Sequence, residues 1–432
     1  MRFVDSAPEA ALPKGVKDFL PLKAAKGEYL QQQLRKVFSA WGFRPIVPPQ
    51  LEFLDELEKG LGEELRELTF RFDDRQSGRL VAFPPDITPQ VARIVATRMR
   101  EMPLPLRLSY AGRVLRHAEQ QAGKDRDIFQ TGVELIGLAG PEADAEMIAM
   151  AVECLSAVGG TEFSVDIGQV DFFRGVMDGL PLTGELAGKV AGAIARKDSS
   201  ELVKLLELLS ISDQSREEVL ALPRLFGGRD VLDRAERVVR NDRSRRALEN
   251  LSRVLDVLEV YGVLDHVTLD LGELRGLNYH TGITFQGFLS GIGRAVCSGG
   301  RYDNLTGQYG FPAPATGFTF DLLNLLFALD RSLDERVTLG TDVLIFAAGK
   351  DLRPAQKLAR GLRQRGFSVA RDIIDRPLED ALDYARKTDF KILLAVASEA
   401  DDVRIIRIRD GEEQSSSYRE LLSESFTLKL SV

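Results

Sequence analysis

Three short stretches of this 432-residue chain carry polar side chains at spacings able to grip a small polar molecule. The first surrounds residue 130. Alternate residues of an extended strand share a face, so Gln130, Gly132 and Glu134 point the same way. The outer two stand about 13 Å apart on a rise of ~3.3 Å per residue. Gly132 leaves the floor between them open, and a small ligand could lie across it with one end on each side chain. The plainer alternative is a solvent-facing strand with Phe129, Thr131, Val133 and Leu135 packed on the other side. The second stretch, LRGLNYHTGITF at 274–285, crowds Arg275, Asn278, Tyr279 and His280 into a turn before a strand. An arginine beside glycine can meet a carboxylate or phosphate with a two-pronged fork. The alternative is a turn whose Asn and Gly serve the backbone. The third, CSGGRYDN at 297–304, would let a backbone approach a ligand closely, or simply make a tight turn. It has neither GxxxxGKS/T nor GxGxxG, which excludes a P-loop and a dinucleotide fingerprint.

Other reactive side chains are sparse. Two cysteines, Cys154 and Cys297, make no disulfide framework and fit a reducing, cytoplasmic compartment. Three histidines (His117, His266 and His280) with no CxxC or HExxH leave no recognisable zinc site. On these grounds neither a metal nor a cofactor is expected. His117 and His266 read as surface or core residues.

The elements that must position these stretches follow from periodicity. Leu22, Ala25, Tyr29, Leu30, Leu34, Val37, Phe38 and Trp41 recur every three or four residues and predict a helix over 23–41. Gly42 can end it, and Pro45, Pro48 and Pro49 stop any continuation. A strand is expected at 79–84. A helix then opens at Thr88-Pro89, with Thr88 as N-cap and Pro89 in the first helical position. LRLSYAGRVLR and IFQTGVELIGL predict strands on either side of the charged loop HAEQQAGKDRD. A helix at 142–157, strands at 162–167, 266–271, 282–289 and 294–298, and a last core helix near 316–330 complete the larger unit. Residues 183–258, rich in Leu, Ala, Arg and Glu, read as a helical insertion. Past a polar linker at 331–340, residues 341–432 alternate strand and helix as a small α/β domain.

Composition narrows the function. A chain that is 44% hydrophobic and 28% charged is an ordinary globular one. Its 57 basic and 65 acidic residues give a net charge of −8, which disfavours a broad nucleic-acid or membrane surface. The 341–432 domain holds 16 basic and 16 acidic residues, so it offers no electrostatic case for RNA. No apolar run reaches the ~18 residues of a spanning helix, and Asp5 and Glu9 sit where a signal peptide would need an apolar stretch.

In order along the chain, PKGVKDFLP (13–21), FPPDITPQVAR (83–93), GRVLRHAE (112–119), DIFQTGVELIG (127–137), ELRGLNYHTG (273–282), SGGRYDNL (298–305) and PATGFTFDLLNLL (314–326) resemble the histidyl-tRNA synthetase family. The likeness spans about 10–330. It implies an α+β fold of the class II aminoacyl-tRNA synthetase type over 1–330, an antiparallel sheet flanked by helices. The 341–432 domain resembles an anticodon-binding domain. Carried over residue by residue, Asp86 and Thr88 would hold the substrate amino group. Arg116 would contact a phosphate or carboxylate. Gln130 and Glu134 would serve as amino-group and imidazole partners, a carboxylate being a suitable acceptor for a ring N–H. Arg275 would approach the carboxylate and α-phosphate, and Tyr279 and Tyr302 would line the imidazole pocket. His280 stands where that signature usually has a second tyrosine.

The departures fall on the nucleotide side. Ala118 replaces the glutamate that reads adenine in these synthetases. Asp321 and Asn324 replace the glycine and the γ-phosphate arginine of their third motif. Losing one charge-assisted arginine contact costs about 1.5–3 kcal/mol. A site that keeps histidine contacts and loses ATP contacts resembles the synthetase paralogues that are regulatory subunits of ATP phosphoribosyltransferase. The resemblance implies a non-catalytic subunit that binds L-histidine for feedback control and activates a short-form catalytic subunit. It also implies a homodimer core built through the first helix and the 47–53 strand, and no tRNA partner. A working synthetase with atypical ATP contacts, or a synthetase-like interaction module, are the alternatives. Many members of the paralogue family lack a C-terminal domain that this chain retains.

Overall fold

A computed structural model describes residues 12–117, 125–178, 180–182, 184–273, 280–349, 351–397 and 402–423. The chain divides into two compact units, Met1–Asp334 and Glu335–Val432.

The first unit is built on a nine-stranded sheet. In chain order its strands are β1 (Arg44–Pro45), β2 (Leu106–Leu115), β3 (Asp127–Ile136), β4 (Phe163–Gln169), β5 (Phe226–Gly227), β6 (Val267–Asp270), β7 (Ile283–Leu289), β8 (Cys297–Arg301) and β9 (Ala315–Asp321). They lie in the order β1-β2-β3-β9-β8-β7-β4-β6-β5. The six central strands are antiparallel throughout, while β1 with β2 and β4 with β6 run parallel. The sheet is therefore mixed at its margins rather than wholly antiparallel. A separate three-stranded sheet joins Glu52–Phe53, Leu80–Ala82 and Arg71–Asp73.

Helices cover both faces. The helices used below are α1 (Pro21–Ala40), α2 (Thr88–Arg98), α3 (Pro141–Ala157), α4 (Asp242–Tyr261) and α5 (Leu322–Leu329). The back face holds the main core. Val133 and Leu135 from β3, Phe285 from β7, and Phe318 and Phe320 from β9 are buried with Phe38 of α1 and Met147 of α3. The Phe318 ring lies 6.0 Å from those of Phe38 and Phe285 and 5.8 Å from that of Phe320. Burial of each such side chain stabilises the fold by about 1.5–3 kcal/mol. The front face packs Leu106, Leu108 and Tyr110 of β2 against Ile87 and against Val91 and Val95 of α2. Both faces of β3 are thus covered, and the solvent-facing alternative does not hold.

Two local expectations need correction. Residues 316–330 are not one helix. The alternation of Phe318 and Phe320 with Gly317 and Thr319 makes a strand through Asp321. Asp321 then accepts from the backbone N–H groups of Leu323 (2.9 Å) and Asn324 (3.1 Å) and so starts α5. Thr88 is the first helical residue of α2, not its cap, because its hydroxyl is committed to Glu134. Elsewhere the shifts are small. The 294–298 strand lies at Cys297–Arg301, and α1 ends at Ala40, with Trp41 as its cap and Gly42 at φ +82°, where glycine carries no Cβ penalty.

Between β4 and β6 the chain is mainly helical, with Gly184–Ala195, Ser199–Glu207, Asp213–Ala221, Val231–Val238 and α4. The second unit has a five-stranded sheet in the order Val369–Arg371, Val343–Ala347, Ile392–Val396, Asp402–Arg407, Glu413–Ser417. The first three strands are parallel and the last two antiparallel. The final strand, EQSSS, carries little β signal in its composition.

Candidate functional site

The front face of β3 carries two linked knots of polar side chains. Glu134, 1% exposed, lies in the first. Its Oε1 accepts from the Thr88 hydroxyl at 2.7 Å and from the Tyr110 hydroxyl at 3.2 Å, and its Oε2 accepts from the Tyr302 hydroxyl. Burial pushes its carboxyl up to about 8; the Tyr302, Thr88 and Tyr110 hydroxyls pull the other way, and the nearby Asp86 charge adds to the rise. Burial likewise holds the Tyr110 phenol well above its ordinary range.

The second knot lies two strand positions away. The Gln130 amide donates to Asp86 Oδ1 at 2.8 Å and accepts from the Ile87 N–H at 3.1 Å. The same Asp86 oxygen accepts from the Ile87 N–H at 3.0 Å. Arg116 donates from Nε to the Pro85 carbonyl at 2.6 Å, and its guanidinium comes within 3.9 Å of Asp86 Oδ1. Asp86, Ile87 and Thr88 tie the knots together along the chain, and the β3 backbone ties them from below. Asp86, Thr88, Arg116, Gln130, Glu134 and Tyr302 are therefore brought together.

Glycines set the floor, though not as the sequence suggested. Gly132 does not leave an open gap, because the Tyr110 ring of the neighbouring strand fills it. Tyr110 pairs directly with Gly132, and a Cβ on that glycine would stand 2.7 Å from the Tyr110 hydroxyl. The bare positions lie farther along the sheet. Gly317 pairs with Glu134 and Gly300 pairs with Gly317, so all three share one face. A Cβ on Gly317 would run into the Glu134 carboxylate. Over Gly300 stands the His280 imidazole, which also lines a cavity of about 180 Å³ with Asp166, Asp270, Glu273 and Thr284. Arg275 and Tyr279 lie outside the described residues, as does Ala118.

Three positions that shape this arrangement were missed by sequence reasoning. Tyr110 needed the β2–β3 register, which no local pattern supplies. Gly317 looked like part of a helix. Arg301, 6% exposed, pairs with buried Asp144 at 2.9 Å and donates to the Leu138 carbonyl at 3.0 Å. It thereby fixes the end of β8 from which Tyr302 reaches Glu134. The other two histidines stack on aromatic rings, His117 on Phe70 (3.8 Å) and His266 on Phe163 (4.4 Å).

At the positions that match the synthetase pattern's third motif, the residues differ. Asp321 pairs across the ladder with Gln130 and caps α5, and burial raises its carboxyl pKa, against the opposing pull of its backbone N–H donors and Arg116. Asn324 donates to the Ala295 carbonyl at 2.9 Å. Both departures from the synthetase pattern are thus built into the backbone packing.

Comparison with known proteins agrees with this architecture. The sequence profile of histidyl-tRNA synthetase matches residues 15–325. The chain is 66% identical to an ATP phosphoribosyltransferase regulatory subunit of Syntrophotalea carbinolica, over 98% of this chain and 99% of that protein. It is 55% identical to one from Geobacter sulfurreducens, over 97% of each. A solved Bacillus halodurans structure, described as an ATP phosphoribosyltransferase regulatory subunit/histidyl-tRNA synthetase, superposes with a TM-score of 0.80 at 27% identity. That match covers 91% of this chain and all of the other. Histidyl-tRNA synthetase from Nostoc shares the fold, with a TM-score of 0.79 at 22% identity over 95% of this chain and 98% of its own. The fold is that of the class II, histidyl-tRNA synthetase-like proteins. Within that class, the chain belongs to the ATP phosphoribosyltransferase regulatory subunit family.

Proposed function

We propose that this chain is a non-catalytic sensor of free L-histidine, in histidine biosynthesis, that assembles with a short-form ATP phosphoribosyltransferase catalytic subunit. It activates that subunit and conveys feedback inhibition by the amino acid. The observation carrying this reading is the contrast within one face. Glu134 sits in a buried nest of three hydroxyls with the Asp86–Gln130 knot beside it, while Asp321 and Asn324 occupy the positions that carry glycine and the γ-phosphate arginine in the synthetase pattern. In this reading Glu134 takes the imidazole N–H. Asp86, Thr88 and Gln130 take the ammonium group, Arg116 and Arg275 take the carboxylate, and Tyr279, His280 and Tyr302 close the ring pocket. Binding regulates only if histidine prefers one state of the complex, typically by ~1–3 kcal/mol of coupling.

A homodimer core fits the exposed segment beside β1, where Val47 is 88% exposed on a sheet margin. The C-terminal unit is read as an anticodon-binding-like domain that no longer serves tRNA. Among the described residues no helix is long and apolar enough to cross a membrane, and a cytoplasmic location is part of this reading.

Calorimetric titration with L-histidine, and separately with ATP and magnesium, tests the reading. Histidine binding in the micromolar range without nucleotide binding supports it. Nucleotide binding that strengthens with histidine, accompanied by ATP–pyrophosphate exchange, would establish a synthetase instead.

A further inference from the structure

The helix that carries Thr88 is fastened at a second point. Gln90, two residues on, donates from one amide nitrogen to the Pro49 carbonyl and to Glu52 Oε1, both at 2.7 Å. Arg93 closes a fork on the same carboxylate, at 2.8 Å to Oε2 and 2.5 Å to Oε1. Glu52 is only 8% exposed, and Gln90 2%. This is a buried, charge-assisted knot between α2 and the 49–52 segment, and none of its members touches the Glu134 nest. Thr88 and Arg93 are five residues apart, about 7.5 Å along a helix axis that does not bend over so short a span.

The segment on the far side of the knot is exposed. Val47 is 88% and Leu51 46% exposed, and Ile46 adds one backbone bond to β2, 2.8 Å to the Ser109 carbonyl. A ligand group competing for Glu134 Oε1 must displace or reorient the Thr88 hydroxyl, because that oxygen already accepts from Thr88 and Tyr110. Rotation about χ1 alone would leave the helix in place, whereas displacement of Thr88, the first residue of α2, is a movement of the helix end. With Gln90 and Arg93 gripping Glu52, the 49–52 segment moves with it.

We propose that Glu52, through Gln90 and Arg93, makes α2 a strut that transmits occupancy of the Glu134 nest to the exposed segment 46–51. The inference rests on the histidine reading above. Glu52 is a positioning residue and touches no ligand itself. Segment 46–51 belongs to the homodimer seam read above, and its apolar, exposed character makes the second copy of this chain the partner that would register the change.

The test uses the full-length chain with Val47→Cys labelled by a polarity-sensitive fluorophore. The label is selective because Cys154 and Cys297 are buried. L-histidine is titrated while heat is measured in parallel. The expected result is an emission change whose midpoint matches the calorimetric one. Adding Glu52→Gln should leave the calorimetric affinity within about threefold and shrink the emission change several-fold. Should E52Q not fold, Arg93→Lys keeps the charge, loses the fork and serves the same purpose. Calorimetric binding with a silent label, or with an equal response in both backgrounds, overturns the strut and leaves the histidine reading intact. Absence of calorimetric binding overturns both.

Discussion

The Thr88 hydroxyl donates a 2.7 Å hydrogen bond to Glu134 Oε1, joining the first turn of α2 to the C-terminal part of β3 across 46 residues of chain. With Tyr110 and Tyr302 donating to the same carboxylate, Glu134 has three protein hydroxyls around it in place of water. Replacing it with an isosteric amide keeps the volume and removes the charge. Glu134→Gln should weaken histidine binding about 10- to 150-fold, the ~1.5–3 kcal/mol of a charge-assisted hydrogen bond. Feedback inhibition should be lost and assembly with the catalytic subunit retained. Calorimetry, an inhibition curve and size-exclusion chromatography check the three parts. Normal inhibition of this variant would show that the pocket lies elsewhere.

The raised carboxyl of Glu134 gives histidine binding a pH signature. Near pH 7 the empty site holds a proton, because burial has moved its pKa from 4.5 to about 8. A ligand ring N–H prefers the ionised form. Binding should therefore release up to one proton at neutral pH, with affinity rising from pH 6.5 and levelling above 8. The same group affects folding in the opposite sense. The folded chain keeps a proton that the unfolded chain sheds near pH 4.5, so this contribution to stability is full below 4.5 and lost as pH rises through 8. Titrations in buffers of different ionisation enthalpy, and melting curves against pH, measure the two effects. Glu134→Gln should flatten both.

How much of this was legible in the sequence depends on the range of the interaction. Periods of three to four residues and of two marked α1, α3, β2, β3 and four of the five strands of the second unit, because each buries one face by local spacing alone. The Gln130/Glu134 alternation pointed to the right face of β3. The partners of that face were another matter. That Tyr110 fills the space over Gly132 depends on β2 pairing with β3 in one register, and that Gly317 clears room for Glu134 depends on β9 pairing with β3. Such contacts are fixed by the whole sheet. The 316–330 error has the same root. A stretch ending in LLNLLFAL looks helical to its last residue, and only the ladder to β3 and β8 holds its first half extended.

Asp321 does two jobs that a substitution can separate. As cap of α5 it accepts two backbone N–H groups, and as a charge it opposes a polyphosphate on the same face. Asp321→Asn keeps an accepting oxygen and should leave stability nearly unchanged, whereas Asp321→Ala should cost about 0.5–2 kcal/mol. Only the charge matters for nucleotide. Both variants should therefore bind magnesium-ATP more tightly than the parent, and Asp321→Asn together with Asn324→Arg more tightly still. Chemical denaturation and equilibrium dialysis with ATP test the pair. If nucleotide binding stays flat across all three variants, exclusion of ATP rests on other residues.

The Arg301–Asp144 pair is the structural bet beneath Tyr302. Both members are buried, Arg301 at 6% and Asp144 at 1% exposed, and Arg301 also holds the Leu138 carbonyl and Asp303. Burial raises the Asp144 carboxyl, and Arg301 beside it opposes that rise. Removing one partner leaves the other charge in the interior, which typically costs ~3–5 kcal/mol. Asp144→Ala should destabilise the first unit by that amount and so lower its melting transition. A double substitution, Asp144→Leu with Arg301→Met, replaces the pair with apolar volume and should recover much of the loss. It would not restore the anchor to the Leu138 carbonyl, so Tyr302 should be held less firmly. Histidine affinity should then stay below that of the parent even where stability returns. Calorimetric melting and histidine titration on the same preparations separate the two. Full recovery of both would mean that Tyr302 is held by its own Ala315 backbone bond, at 2.8 Å, without help from Arg301.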